Sequence, residues 1–215
     1  MRNTPVIVFI NKMDRDGKDP FDLLDEIEMT LGIKVCPLTW PIGMGDYFQG
    51  VYNIHKKNLA LFEANKTKIS QDVVNIEDIN SSDLDEIIGE ESSTELRGEL
   101  EMVEGVYDAF DHEKYLSGEV APVFFGSAVN NFGVKELLEA FCEISPSPRG
   151  RESDSKMVQP MDEKFSGFVF KIHANLDPKH RDRIAFLRIV SGKFERNKFY
   201  NHVRLNKKFK FSNPI

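Results

Sequence analysis

"PVIVFINKMDRDGKDP", Pro5 to Pro20, is the stretch from which the fold can be read. Val6 to Ile10 is a β-branched and aromatic run without polar alternation, the pattern of a strand covered on both faces in a parallel sheet. It breaks at Asn11-Lys12-Met13-Asp14, a polar loop. That loop ends at Asp19, a helix-capping residue, and Pro20, whose fixed φ suits the first helical position. Leu23, Leu24, Ile27 and Leu31 then fall on one helical stripe, and Gly32 stops it. Strand, loop and helix in this order make the unit of an α/β fold, in which ligands bind beyond the carboxyl ends of the strands. Asn11, Lys12 and Asp14 therefore stand where a ligand would be met.

The same theme returns in "APVFFGSAVNNFGVKELLEAFCEI". Val123 to Phe125 read as a second buried strand and "GSAVNNFG" as its loop. Val134, Leu137, Leu138 and Phe141 have i, i+3, i+4, i+7 spacing, the stripe of a helix. Ser127 and Ala128 occupy the place that Asn11 to Asp14 hold after the first strand. Between the two units, Lys34 to Gly43 reads as extended and "GVYNIHKKNLALF" as strands or a hairpin. "GMGDYFQG", Gly43 to Gly50, reads as a turn. Residues 72 to 104 hold 12 Asp/Glu against the single Arg97, and "SSDLDEIIGEESSTELRGELEMVEGVYDAF", Ser81 to Phe110, is expected to be helical over its second half. Their carboxylates read as a solvated face, because no calcium-loop spacing occurs among them.

"SPSPRGRESDSKMVQP", Ser145 to Pro160, is rich in Pro, Gly and Ser and has no apolar pattern, which marks a domain boundary. After it come short alternating segments joined by turn residues, "FSGFVFKIHANLDP", "RIAFLRIVSGKF" and "KFYNHVRLNKKFKF", the pattern of an antiparallel barrel or sandwich with three or four strands present. The expected division is an α/β domain over 1–144 with an insert at about 43–115, a linker over 145–164 and a partial β-barrel over 165–215.

Charge divides the chain in the same place. Residues 165–215 carry 12 Lys/Arg and 3 Asp/Glu, a net of +9, so with a total of -7 the first 164 residues carry -16. A basic module on an acidic carrier suits contact with a polyanion through one part of the chain. The longest apolar runs are far short of the roughly 20 residues of a membrane span, and no secretory leader is read at the start. Cys36 and Cys142 have no metal or redox spacing and are expected to be buried thiols in a reducing, cytoplasmic setting. None of the five histidines, His55, His112, His173, His180 and His202, has ligand spacing.

"NKMD" after "VIVFI", with "GSA" after "VFF" and a helix following, resembles the guanine-recognition half of a P-loop GTPase G domain. The wider stretches "NKMDRDGKDPFDLLDEIE", "PLTWPIGMGDYFQGVY", "PVFFGSAVNNFGV" and "FSGFVFKIHANLDPKHRDRIAFLRIVSGKFE" resemble bacterial peptide chain release factor 3, a family of translational GTPases, across essentially the whole chain. Elongation factor G is similar through "NKMDR", the "PIG" insert and the "GSA" loop, while "DPKHRDR", Asp177 to Arg183, favours the release-factor family. The resemblance implies GTP or GDP as ligand and the ribosome and class I release factors as partners, with neither membrane nor DNA among them. It implies that the intact protein hydrolyses GTP to help class I release factors dissociate during termination. Asn11, Lys12, Asp14, Ser127 and Ala128 are then the guanine-binding residues.

The chemistry of that assignment is direct. Asp14 can accept from guanine's ring N–H and exocyclic amine, a donor pair that adenine lacks. Lys12 can lay its methylene stem along the base, Asn11 can tie the loops together, and the Ala128 N–H can meet the guanine carbonyl oxygen. A phosphate loop, G-x-x-x-x-G-K-[ST], occurs nowhere in the 215 residues. The Mg-binding and water-orienting motifs of such GTPases are absent too. These residues are thus expected to be an internal fragment without a catalytic or metal-binding residue, weak in GTP binding and inactive alone, with an exposed sheet edge through which it could self-associate. Two other readings stand beside this one: an elongation-factor-G-like translocation or ribosome-protection GTPase, and a non-catalytic ribosome-binding module.

Overall fold

The computed structural model describes residues 4–62, 73–76, 78–154, 156–174 and 183–211. The chain divides into two compact units, Met1–Pro146 and Ser147–Ile215.

In the first unit, β1 (Val8–Asn11) leads to α1 (Pro20–Leu31). The Asp19 side chain caps that helix by accepting from the Phe21 N–H at 2.8 Å, Pro20 opens it, and Gly32 closes it in the left-handed region at φ 66°. The extended stretch after α1 is two strands, β2 (Lys34–Pro37) and β3 (Thr39–Ile42). A hairpin follows, β4 (Gly50–Asn53) and β5 (Asn58–Leu61), and then β6 (Val73–Asn75). Helices α2 (Ser82–Ile88), α3 (Glu90–Val106) and α4 (His112–Ser117) precede β7 (Val120–Gly126) and α5 (Val134–Ile144).

Among the described residues two sheets share this unit. The first is parallel, in the order β1-β7-β2, and the second is antiparallel, in the order β3-β4-β5-β6. The chain passes between them at Leu38, whose N–H donates to Val123 O at 2.9 Å, and Thr39 Oγ1 accepts from the Phe125 N–H at 3.0 Å. The central strand β7 is buried at every residue and sends alternate side chains to opposite faces. Val123 and Phe125 enter the larger core with Met13, Leu24, Trp40, Ile42, Phe48 and Leu96; Val120 and Phe124 enter a smaller one with Cys36, Leu38 and Ala140. Helix α1 covers the first face and α5 the second, so the mixed α/β arrangement is sandwiched as parallel sheets require.

Several expectations are corrected. The strand covered on both faces is β7; β1 begins at Val8 and is only half-buried, because it stands at the edge of its sheet with β7 as its pairing partner. Helix extends through nearly all of residues 82–106, in two pieces parted at Gly89, φ 88°. On α5, Leu138 and Phe141 are exposed and only Leu137 and Ala140 meet the core, because the contact with Cys36, Leu38 and Phe124 is narrower than the apolar stripe. Cys36 is buried and its thiol is pushed up to about 11 by that burial, whereas Cys142 is exposed on the outer side of α5.

The second unit is built of antiparallel pairs. β8 (Arg151–Glu152) joins β9 (Met157–Val158), so the stretch read as linker carries a short ladder. β10 (Ser166–Ala174) joins β11 (Arg183–Ser191), and β12 (Phe199–His202) joins β13 (Lys207–Lys210). Among the described residues these pairs do not close into a barrel. Of the stretch "DPKHRDR", Asp177 to Arg183, only Arg183 lies within the described residues.

Candidate functional site

The parallel pairing of β1 with β7 sets Asn11 opposite Gly126, so the loops that leave the two strands emerge side by side. Gly126 permits this closeness: a β-carbon there would stand 2.3 Å from Phe132 O and 2.9 Å from the Phe9 ring. The Met13 N–H donates to Gly126 O at 3.1 Å, and the Met13 side chain is sunk in the larger core at 2% exposure. Met13 thereby pins the centre of the first loop, while Lys12 before it takes φ 74° and is exposed. A non-glycine residue in that region is held there by its surroundings at some cost in free energy.

Asn11 joins the two loops. Its Oδ1 accepts from the Lys12 N–H at 2.9 Å and from the Ala128 N–H at 2.8 Å. The Ala128 N–H, expected to face a base carbonyl, is here donated to Asn11. Ala128 itself is exposed, on the 3-10 turn Ala128–Asn130. Ser127 is not exposed: at 1% exposure it lies beneath that turn, its backbone paired with Phe132 through bonds of 3.0 and 2.9 Å.

Asp14 is half-buried between the loops. Asn130 reaches it from the second loop, donating from Nδ2 to Asp14 Oδ2 at 3.4 Å and to Ser127 Oγ at 2.9 Å. Sequence reading passed over Asn130; the available signal was a side-chain amide three residues after Ser127 in a turn-forming stretch. It also passed over Gly45. The turn Gly43 to Gly50, read only as a connection, packs its 3-10 segment Gly45–Tyr47 against the first loop. The Gly45 N–H donates to Met13 O at 2.9 Å, and a β-carbon on Gly45 would stand 2.1 Å from Asp16 Oδ1. Both backbone groups of Met13 are therefore held, one by β7 and one by this turn.

The result is a rigid shelf at the carboxyl ends of two parallel strands. It presents a carboxylate, a lysine stem and a small exposed residue, and suits a planar heterocycle with two adjacent N–H donors. Among the described residues no three His, Cys, Asp or Glu side chains converge as metal ligands, and no metal is assigned to them.

The chain matches the elongation factor Tu GTP binding domain over residues 1–147 and elongation factor G domain 2 over residues 164–215. The first match spans more than half of the chain, which belongs to that GTP-binding family. It is a translational GTPase of the elongation factor G and elongation factor Tu type, and guanine nucleotide is its ligand.

Proposed function

We propose that in this translational GTPase the loops after β1 and β7 read the guanine base, Asp14 accepting from its ring N–H and exocyclic amine. Lys12 covers the base or ribose with its methylene stem, and Asn11 locks the loops at the spacing the base requires. The observation that carries this reading is the bond from the Ala128 N–H to Asn11 Oδ1, because it joins the two loops into one surface beside Asp14. Ala128 offers a small side chain against which the base can pack. Its N–H reaches the base carbonyl oxygen by sharing with Asn11 or by exchange with it.

In the intact protein, Asp14→Asn shifts preference from guanine to xanthine nucleotides, since the amide of Asn can donate to the xanthine carbonyl. Competition of GDP against XDP for the site measures this, and an unchanged guanine preference refutes the assignment. The 215 residues contain no phosphate-loop sequence. Phosphates carry most of a nucleotide's charge, so taken alone these residues bind GDP weakly and do not turn GTP over. Titration calorimetry finding micromolar affinity would contradict this.

On the ribosome, the reading best supported by sequence is promotion of class I release factor dissociation, and its support is the resemblance through "FSGFVFKIHANLDPKHRDRIAFLRIVSGKFE". The match to elongation factor G domain 2 favours a second reading, a translocation factor. Two ribosomal assays separate them. Release of a labelled class I factor from termination complexes after peptide hydrolysis supports the first, and a one-codon advance of the messenger supports the second.

A further inference from the structure

The geometry points to Asn130 as a positioning residue that holds the Asp14 carboxylate in the attitude needed to discriminate guanine from other purines. This inference rests on the reading of Asp14 given above and adds a residue to it. Three observations carry it. First, Asn130 spans the two loops, with Nδ2 bonded to Ser127 Oγ at 2.9 Å and to Asp14 Oδ2 at 3.4 Å. Second, the anchor is fixed: Ser127 is buried at 1% exposure and its backbone is paired with Phe132 in both directions. Third, the segment carrying Asn130 is itself closed. The Asn130 N–H donates to Ser127 O and the Asn131 N–H to Ala128 O, both at 3.1 Å, and Asn131 turns the chain at φ 54°.

The chemistry explains why an amide suits this place. A side-chain amide nitrogen has two hydrogens, so Asn130 can hold Ser127 and Asp14 together. Each carboxylate oxygen has two lone pairs, so Asp14 Oδ2 can accept from Asn130 and still accept from a base. The contact therefore orients the carboxylate without occupying the site. It fixes a side chain that would otherwise rotate, and a ligand then meets a preorganised acceptor pair. Asn130→Asp would keep the turn, because Asn and Asp form the same local hydrogen-bonded turns. It would remove the donor and set a second carboxylate against Asp14.

The test uses the full-length protein and displacement of a fluorescent GDP by GDP and by IDP, whose base lacks the exocyclic amine and so offers Asp14 one donor fewer. Asn130→Ala is expected to weaken GDP roughly threefold to tenfold, the scale of one ordinary hydrogen bond. IDP is expected to weaken less, so the preference for GDP over IDP narrows. Asn130→Asp is expected to weaken GDP further than Asn130→Ala does. An equal loss for GDP and IDP in Asn130→Ala overturns the inference, because it marks a role in the turn alone. GDP affinities of both variants within twofold of the unaltered protein also overturn it. Asp14→Asn serves as the control: if it does not move preference toward xanthine, the guanine reading itself falls. If it does and the Asn130 variants are silent, only the role of Asn130 falls.

Discussion

Gly45 and Glu99, single residues outside the two loops, bear on the stability of the first unit. Gly45 takes φ 63° and faces Asp16 at a distance no side chain could share. Gly45→Ala is expected to destabilise the first unit by roughly 1–3 kcal/mol, combining backbone strain with displacement of Asp16. GDP affinity of the full-length protein should fall with it, because relief of the strain and of the clash with Asp16 shifts the turn and loosens its backbone bond to Met13 O. Chemical denaturation and nucleotide titration read the two effects separately. Glu99 is half-buried on α3 and accepts from Trp40 Nε1 at 2.8 Å. Burial raises its carboxyl above the ordinary glutamate value, an effect that outweighs the opposing bond from Trp40. A raised folded-state value means that the native chain holds the proton more tightly, so stability from this group declines as pH climbs from the unfolded value through the folded one. Glu99→Gln is thus expected to raise Tm by about 1–3 °C at pH 7. The gain should vanish below about pH 4, where the carboxyl is protonated in both states. Emission of Trp40, the sole tryptophan and fully buried, follows the unfolding.

At the scale of elements, the acidic segment is held together by its one cation. Arg97 on α3 donates through Nε to Ile79 O at 2.8 Å and through one terminal nitrogen to Ser81 O at 3.1 Å. Its other terminal nitrogen pairs with Asp85 at 2.9 Å. One guanidinium fork therefore fastens the turn before α2, α2 itself and α3. A lysine has the charge but not the fork. Arg97→Lys is expected to cost about 1–2 kcal/mol in denaturant unfolding, the scale of the carbonyl bonds it gives up, and a change under about 0.3 kcal/mol would show that the staple is idle. Which of these elements form was largely legible in the sequence. The cap at Asp19, the stop at Gly32 and the helical spacing after Gly133 are local signals acting over a few residues. What the spacing could not reveal was how much of each stripe is covered. Leu138 and Phe141 lie on the apolar side of α5 and are exposed, while Leu137 and Ala140 pack into the core.

The whole molecule joins an acidic first part to a basic second one. In the second unit β13 carries Lys207, Lys208 and Lys210, all exposed, with Lys210 over the Phe199 ring at 6.0 Å. Side chains alternate along a strand, so Lys208 and Lys210 share one side and Lys207 takes the other. A strand basic on both sides suits the polyanionic surface of the ribosome, on which translational GTPases act. Ribosome binding by the full-length protein is expected to weaken steeply with salt. Replacing Lys207 and Lys208 by Ala is expected to flatten the log–log slope by roughly 0.7–0.9 for each phosphate no longer neutralised. An unchanged slope would place the interface elsewhere.

The sequence by itself determined the strand-loop-helix units, the residue types at their loops and the charge division, because capping, periodicity and composition act within a few residues of chain. Only the tertiary structure decided what those loops do to each other. Asn11 and Ala128 are 117 positions apart and Asp14 and Asn130 are 116 apart, and no local rule relates either pair. They meet because β1 and β7 pair in parallel with Asn11 opposite Gly126. The same pairing buries Ser127, diverts the Ala128 N–H to Asn11 and brings Asn130 to Asp14. Gly45 likewise gains its role from packing alone. Its place in the chain shows a turn, and the fold sets that turn beneath the loop that carries Asp14.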